Sequence, residues 1–352
     1  MTQSDSLDQL DEQLLEERKK VDVANHNFSA RELIRMMAEE ELNVAPTYQR
    51  KFRWNLDNES TFIESVFLGL PIPPLFVATN VGFQWEIVDG LQRLSTLMHF
   101  MAVESSDLSL ISRTEPLQLE GLDKLTQLNG KKFSDLPKNL RVYFGRQPLQ
   151  VVSLTDKSDL QIRFDLFERL NKGSVSLSPQ EVRACVYRGE FNQFIENLSV
   201  DPSLGALLKL QQAKQNDGTK AEQVLKFFAY KNARDKFNGK VEKFLNEYMV
   251  AASKEFSYDA EGQSFQKAIR RLYEICDGPF LRKSTNVTPV VQFEACIVAI
   301  AELQESGVPV IMPNPGWTED NKLKDSSTGA TNTRAMLTSR IDRAKEIFSG
   351  RA

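Results

Sequence analysis

The chain has 352 residues, of which 41% are hydrophobic and 26% charged, and its formal net charge is −4. This composition is typical of a globular protein with its own core, and the acidic balance argues against a protein that coats nucleic acid. Three cysteines and two histidines are too few for a disulfide framework or a histidine-rich metal centre. No apolar run approaches the roughly 20 residues needed to span a bilayer, so we expect a cytoplasmic protein without membrane contact.

The first predicted elements are helical. Residues 1–27 are expected to form an N-terminal arm or helix, with leucines among acidic and basic residues. Ser29 followed by Glu32 is a capping-box pattern that predicts the start of a helix. A second helix is predicted from Asp57 to Leu68, because Gly69 ends it and Pro71 prevents its return.

Short strands alternate with helices in the next part of the chain. Strands are predicted over 75–79 and 84–88, and the second leads directly into Asp89-Gly90 and a helix. A further strand is predicted over 149–154 and a helix over 162–170. Ser178 and Pro179 are typical of the N-cap and first position of the next helix.

The expected fold class is α+β, with a small mixed sheet and surrounding helices followed by a mainly helical half. The predicted domain containing the sheet spans residues 28–190, and a helical region follows over 191–305. Residues 306–333 are rich in Gly, Pro, Ser, Thr, Asp and Asn, which predicts a loop or partly disordered segment. The amphipathic pattern of residues 334–352 predicts a C-terminal helix.

The segment Asp89-Gly90-Leu91-Gln92-Arg93 is the first candidate site. A strand, a glycine turn and a helix N-terminus together present backbone N–H groups that favour a phosphate. Arg93 could bind phosphate oxygens, and Asp89 could hold magnesium or orient water. The alternative is that Asp89 only caps the helix while Arg93 is a solvated surface residue.

Three other segments are candidates for binding. Residues 46–54 interleave basic and aromatic side chains that could pair phosphates and stack a base, or could be an ordinary edge strand. Asn171 and Lys172 could lie near a nucleotide, or could belong to a helix–turn–helix joint that Gly173 ends. The aromatic and basic residues of 209–254 are a candidate nucleic-acid face, although a buried aromatic stripe with solvated lysines explains them better.

Taken together and in order, these motifs resemble the N-terminal domain of GmrSD-type modification-dependent restriction enzymes. The resemblance covers roughly residues 28–190 and rests on the strings YQR with Trp54, FIES, LGLPIP, VDGLQRLSTL, FERLNKG and LSPQEVR. It implies a ParB/sulfiredoxin-like fold and a site for a nucleoside triphosphate. By resemblance, Asp89, Gln92 and Arg93 are catalytic, Asp89 is the magnesium ligand, and the nucleotide-binding residues are Tyr48, Gln49, Arg50, Gly90, Asn171 and Lys172.

The sequence departs from the family at one position of this motif. The usual string is Asp-Gly-Gln-Gln-Arg, and here Leu91 replaces the first glutamine. Because an apolar side chain cannot hydrogen-bond to phosphate or position a water, hydrolysis is in greater doubt than binding. Relatives often carry an HNH nuclease domain, but both histidines of this chain precede residue 100.

The resemblance therefore implies a module of a DNA-modification-dependent or antiviral defence system that binds and hydrolyses a nucleoside triphosphate. Its expected partners are a nucleotide, DNA reached directly or through a partner subunit, a nuclease, and a second copy of the chain. The alternatives are a DNA-sensing or partner-binding regulator with a non-catalytic nucleotide site, and a nuclease that uses unrecognised carboxylates. P-loop, Rossmann, HExxH and GxSxG strings are absent from the sequence.

Overall fold

A computed structural model describes residues 3–19, 21–44, 54–79, 82–102, 104–155, 160–170, 178–215, 217–283 and 285–351. The chain divides into two compact units, Met1–Val175 and Ser176–Ala352. No described helix is both long enough and apolar enough to cross a membrane.

The described strands of unit 1 form one mixed sheet. They are β1 (Val23–Ser29), β2 (Leu42–Asn43), β3 (Leu75–Thr79), β4 (Trp85–Asp89) and β5 (Pro148–Leu154), arranged in the order β1-β5-β3-β4-β2. The β1–β5 and β3–β4 pairs are antiparallel, whereas the β3–β5 and β2–β4 pairs are parallel. The expected α+β class with a small mixed sheet is therefore confirmed.

Unit 1 has seven described α-helices, and several of them bury the apolar residues of the sheet. They are α1 (Gln3–Lys19), α2 (Ala30–Ala38), α3 (Leu56–Phe67), α4 (Leu91–Met101), α5 (Ser105–Leu110), α6 (Lys138–Gly145) and α7 (Leu160–Leu170). The core cluster joins side chains of α2, α3 and α4 to side chains of β3 and β5, with Leu33, Ile63, Leu97, Leu75 and Val151 fully buried. Burial of such side chains is the main source of stability of the unit.

A register shift lies at the end of β4. Val77 of β3 pairs with Ile87, but Phe76 pairs with Asp89, so Val88 is an additional residue on β4. An extra residue of this kind bends a strand and redirects the side chains next to it. The additional residue Val88 therefore affects the direction in which Asp89 leaves the sheet.

The regular elements among the described residues of unit 2 are helices. Its α-helices are α8 (Pro179–Val186), α9 (Glu190–Ser199), α10 (Pro202–Leu207), α11 (Thr219–Ala233), α12 (Val241–Ala252), α13 (Tyr258–Cys276), α14 (Val290–Glu305), α15 (Asn321–Asp325) and α16 (Arg334–Ser349). Helix α14 is buried along most of its length, because apolar residues occupy all of its faces. Helices α11, α13 and α16 pack around it, and the predicted helical half is confirmed.

Most predicted elements of unit 1 lie close to the observed ones. Helix α2 begins after Ser29, whose Oγ accepts a hydrogen bond from the Glu32 N–H. Strand β1 is an element that the sequence analysis missed: its polar residues Asn25, His26 and Asn27 hide the alternating pattern of an edge strand.

The division of the chain differs from the expected boundary near residue 190. Helix α8 lies in unit 2, where Arg183 forms an ion pair with Glu222 of α11. The segment 306–333, expected as a loop or partly disordered, contains α15 as well as loops. Asp320 caps α15 through its side chain and also binds Arg343 of α16, so this segment is attached to the helical core.

Candidate functional site

The candidate site begins where β4 ends and the chain turns into α4. Gly90 has φ +98° and is the N-cap residue of α4. A Cβ at this position would lie less than 3.0 Å from Cδ2 of Leu75 and 3.1 Å from Nη2 of Arg93. The turn therefore requires glycine both for its left-handed conformation and for the closeness of its neighbours.

The N-terminus of α4 presents backbone N–H groups next to this turn. The first helical hydrogen bond runs from the Leu94 N–H to the Gly90 carbonyl, so the N–H groups of Leu91, Gln92 and Arg93 lie outside the helical ladder. No side chain of the N-cap residue covers them, because that residue is glycine. Together with the helix dipole, such donors favour an anion.

The Arg93 guanidinium is largely buried beside the turn. Nη2 donates to Oδ2 of Asp89 at 2.9 Å, and Nη1 donates to the carbonyl oxygens of Pro73 and, at 3.2 Å, Pro74. The side chain is 12% exposed. Burial lowers the pKa of Arg93, while the charge of Asp89 opposes this effect. Arg93 thus clamps the loop before β3 to the end of β4.

This geometry differs from both interpretations of the motif. Asp89 does not cap α4, since Gly90 is the N-cap residue, and Arg93 is not a solvated surface residue. Nor does Arg93 present its guanidinium freely to a ligand, because it binds Asp89 and two backbone carbonyls. Whether Asp89, Gly90 and Arg93 bind a nucleotide stays a prediction, and a phosphate would have to share or displace the Asp89 contact.

Asp89 fits a magnesium ion only in part. Its carboxylate is 34% exposed and one of its oxygens already binds Arg93. Among the described residues, no group of three or more His, Cys, Asp or Glu side chains is arranged to hold a metal. Magnesium is compatible with a single carboxylate when phosphate oxygens and waters complete its coordination.

Gln92 and Leu91 take different positions in the first turn of α4. Oε1 of Gln92 accepts a hydrogen bond from the Trp54 N–H at 3.2 Å, which attaches the segment before α3 to the site. Leu91 packs against the core of unit 1 and is half-buried. The residue that departs from the family motif thus contributes packing to the turn.

Several predicted site residues lie outside the described residues. Tyr48, Gln49 and Arg50 fall in one undescribed segment, and Asn171 and Lys172 fall in another. Trp54, the aromatic residue that follows the first of these segments, is described: its ring makes an edge contact with Phe62 at 5.6 Å. The structure therefore brings Trp54, Asp89, Gly90, Gln92 and Arg93 to one region.

A polar cluster that the sequence analysis missed links α3 to α4. Nδ1 of His99 lies 2.6 Å from Oε2 of Glu59, and Nε2 of His99 lies 2.9 Å from the carbonyl oxygen of Glu115. Arg113 approaches the other carboxylate oxygen of Glu59 at 3.5 Å. These residues line a cavity of about 720 Å³ whose wall also includes Trp54 and Glu120. Glu59 and His99 are 40 positions apart in the sequence, so no local pattern could predict their contact.

The aromatic residues of 209–254 form core rather than a binding face. Phe227, Phe228, Phe237 and Phe244 are buried, which agrees with the preferred interpretation of this segment. Lys226 is only 14% exposed, and its Nζ binds Glu222 and Glu294 at 3.0 Å each.

Comparison with known protein families gives a match for part of the chain. Residues 31–188 match the family model described as "GmrSD restriction endonuclease, N-terminal domain". No curated protein and no solved structure matches the chain. The match covers β3, β4 and α4, and with them the whole turn around Gly90.

Proposed function

Because residues 31–188 match the model of the GmrSD restriction endonuclease N-terminal domain, we propose that the chain binds a nucleoside triphosphate at the start of α4. We assign this activity to a module of a DNA-modification-dependent or antiviral defence system. The main observation behind this proposal is the Gly90 turn, which places the N-terminus of α4 beside a buried guanidinium.

The charges around the turn support an anion as the ligand. The Arg93 charge is buried next to the helix N-terminus, and both raise the local positive potential. Asp89 neutralises part of this charge in the structure described here. If a phosphate took the place of Asp89 on the guanidinium, that carboxylate would be the residue that could hold a magnesium ion. Magnesium would supply electrostatic stabilisation of the phosphates.

The chain would also hydrolyse the bound nucleotide, and a partner would carry out the nuclease step. Asp89 and Gln92 are the side chains that could orient a water at the turn, with Arg93 stabilising the charge on the transferred phosphoryl group. DNA would be reached directly or through the partner, since the chain has a net charge of −4.

The experiment measures nucleotide binding by calorimetry and phosphate release, each with ATP, GTP, CTP and UTP. Arg93→Ala should weaken binding about 10- to 100-fold, the effect of losing a charge-assisted contact. Arg35→Ala is the matched control, because Arg35 is an exposed arginine of the same unit that pairs with Glu32 and Glu39 on its own helix or next to it. Circular dichroism of each variant separates a loss of binding from a loss of folding. Unchanged binding by a folded Arg93→Ala variant would contradict the proposal.

A second function is favoured by Leu91. An apolar, half-buried residue at this position cannot hydrogen-bond to a phosphate or hold a water, so the site could bind a nucleotide without turnover and act as a regulator of DNA or partner binding. Leu91→Gln tests this alternative, because it restores the usual family residue. Phosphate release that appears only in Leu91→Gln, with similar nucleotide affinity in both proteins, identifies the regulatory function.

A further inference from the structure

The Glu59–His99 contact is buried and joins two helices that meet at the candidate site. Glu59, on α3, is 0% exposed, and His99, in the last turn of α4, is 6% exposed. At the other end of α4, Gln92 accepts a hydrogen bond from Trp54, which lies just before α3. Helix α4 is therefore attached to the α3 segment at its first turn and at its last turn.

The contacts of the two ring nitrogens of His99 indicate where its hydrogens lie. The Glu115 carbonyl oxygen can only accept, so Nε2 of His99 carries a hydrogen. The short 2.6 Å contact to Glu59 also requires a hydrogen between its two acceptor-capable atoms. Arg113 faces the second oxygen of Glu59 at 3.5 Å and favours the carboxylate form. With Glu59 as a carboxylate, the remaining hydrogen would lie on Nδ1 and His99 would be an imidazolium.

The surroundings support this positive charge. His99 lies in the last turn of α4, and the helix dipole favours a cation at this end of a helix. The other charged groups of the cavity are Asp57, Glu115 and Glu120 on its wall, and Lys132 pairs with Glu115 at 3.6 Å. Apart from Arg113, the charged side chains on the described cavity wall are thus carboxylates, which favour the imidazolium.

We propose that Glu59 and the imidazolium of His99 are positioning residues for the nucleotide site at the start of α4. The pair fixes how α4 lies against α3, and with it the position of Gln92 and Arg93 relative to the Gly90 turn. This role of the pair rests on the proposed nucleotide binding. The protonation state of His99 can be tested without any nucleotide.

The first test is ¹⁵N NMR of the histidine rings in the full chain at neutral pH. The chain has two histidines, so a His26→Gln variant leaves His99 as the single signal to assign. Both ring nitrogens of His99 should carry hydrogens. In Glu59→Gln the side-chain amide can donate to Nδ1, so His99 should become a neutral ring with hydrogen on Nε2 only. One bare nitrogen in the wild-type protein would overturn the assignment of the imidazolium.

The second test compares the affinity for the nucleoside triphosphates among variants that remain folded. Glu59→Gln keeps a hydrogen bond to His99 and should bind within about twofold of wild type, because a neutral hydrogen bond still joins the helices. Glu59→Ala should lose about tenfold or more, as when an outer-shell orienting group is removed. Glu120→Gln is the control, since it changes an exposed carboxylate on the same cavity wall.

These outcomes separate the two proposals. Wild-type affinity in a folded Glu59→Ala variant overturns the positioning role and leaves the nucleotide site intact. If wild type binds none of the four nucleotides, the proposed function fails, and the positioning role for that site fails with it. The ¹⁵N result still decides whether His99 is an imidazolium.

Discussion

Two features require glycine at position 90: its backbone conformation and the closeness of Leu75. Comparison with Gly82 separates the two effects. The backbone there has φ +98°, and an added Cβ would be too close to Leu75, a fully buried residue of β3. Gly82, in the turn before β4, has φ +89° but nothing within 4 Å of the added Cβ. The first glycine is thus limited by conformation and by packing, and the second by conformation alone.

Gly90→Ala is therefore expected to destabilise the protein more than Gly82→Ala. The left-handed conformation costs an alanine about 1 kcal/mol or slightly more at either position. At Gly90 overpacking against Leu75 adds about 1–3 kcal/mol. Urea denaturation followed by circular dichroism measures both free energies of unfolding. Equal losses in the two variants would mean that the site turn relaxes freely around Leu75.

Local sequence patterns predict some helices and strands of this protein and miss others. Helices with caps could be predicted, because Ser29 and Ser178 stand at their N-caps with glutamates three residues later. The strand–turn–helix at Gly90 could also be predicted, since Ile87 and Val88 of β4 are apolar and a glycine follows the strand. Strand β1 could not: it pairs with β5 over seven residues although its own sequence, VANHNFS, is polar at its centre.

Contacts between elements were beyond local patterns. Arg93 was predicted to bind phosphate. Its partners Pro73 and Pro74 precede it by 20 and 19 residues, and only the fold brings them close. The Glu59–His99 contact and the buried charges of unit 2 are equally non-local. The sequence thus identified the turn of the candidate site but not the groups that surround it.

Buried charges connect three helices of unit 2. Glu222 of α11 binds Arg183 of α8 at 2.5 Å and Lys226 at 3.0 Å, and Lys226 also binds Glu294 of α14. Burial disfavours the ionised form of Glu222, but Lys226 and Arg183 outweigh burial and lower its pKa. The same carboxylates raise the pKa of Lys226 against the effect of burial. Lys226 is therefore charged at neutral pH and central to the cluster.

Lys226→Met is expected to destabilise the protein by about 3–5 kcal/mol at neutral pH, because two carboxylates lose a buried partner. The pH dependence follows from the lowered pKa of Glu222. Its stabilising contribution is present above the ordinary pKa of 4.5 and is lost as the pH falls through the lower folded value. The stability difference between wild type and Lys226→Met should therefore shrink as the pH is lowered below 4.5.

Urea denaturation at several pH values measures this difference. Lys243→Met is the control, since Lys243 is an exposed lysine whose side chain lies 3.8 Å from Glu247, and its effect should stay near zero. A difference for Lys226→Met that stays constant down to low pH would contradict the role of Glu222.

At the scale of the whole molecule, the family match and the compact units do not end at the same residue. The match runs to residue 188, whereas unit 2 begins at Ser176 and includes α8. Helix α8 is short and depends on its packing, since isolated helices of this length are unstable in water. Its buried Arg183 attaches α8 to α11. Ser178, which caps α8, also donates a hydrogen bond to the carbonyl oxygen of Asp217, just before α11. The last family motif therefore stabilises unit 2.

Two fragments test this assignment. Residues 176–352 retain α8 and should unfold cooperatively, because this unit has its own core around α14. Residues 190–352, which begin after the match, lack α8 and leave Glu222 without Arg183. We expect the shorter fragment to be less stable by about 3 kcal/mol or more, the effect of breaking a buried ion pair. Thermal and urea unfolding followed by circular dichroism measure both, and equal stability would place α8 outside the second unit. A fragment 176–352 carrying Arg183→Ala should behave like the shorter one if the ion pair, rather than the helix as a whole, provides most of the stabilisation.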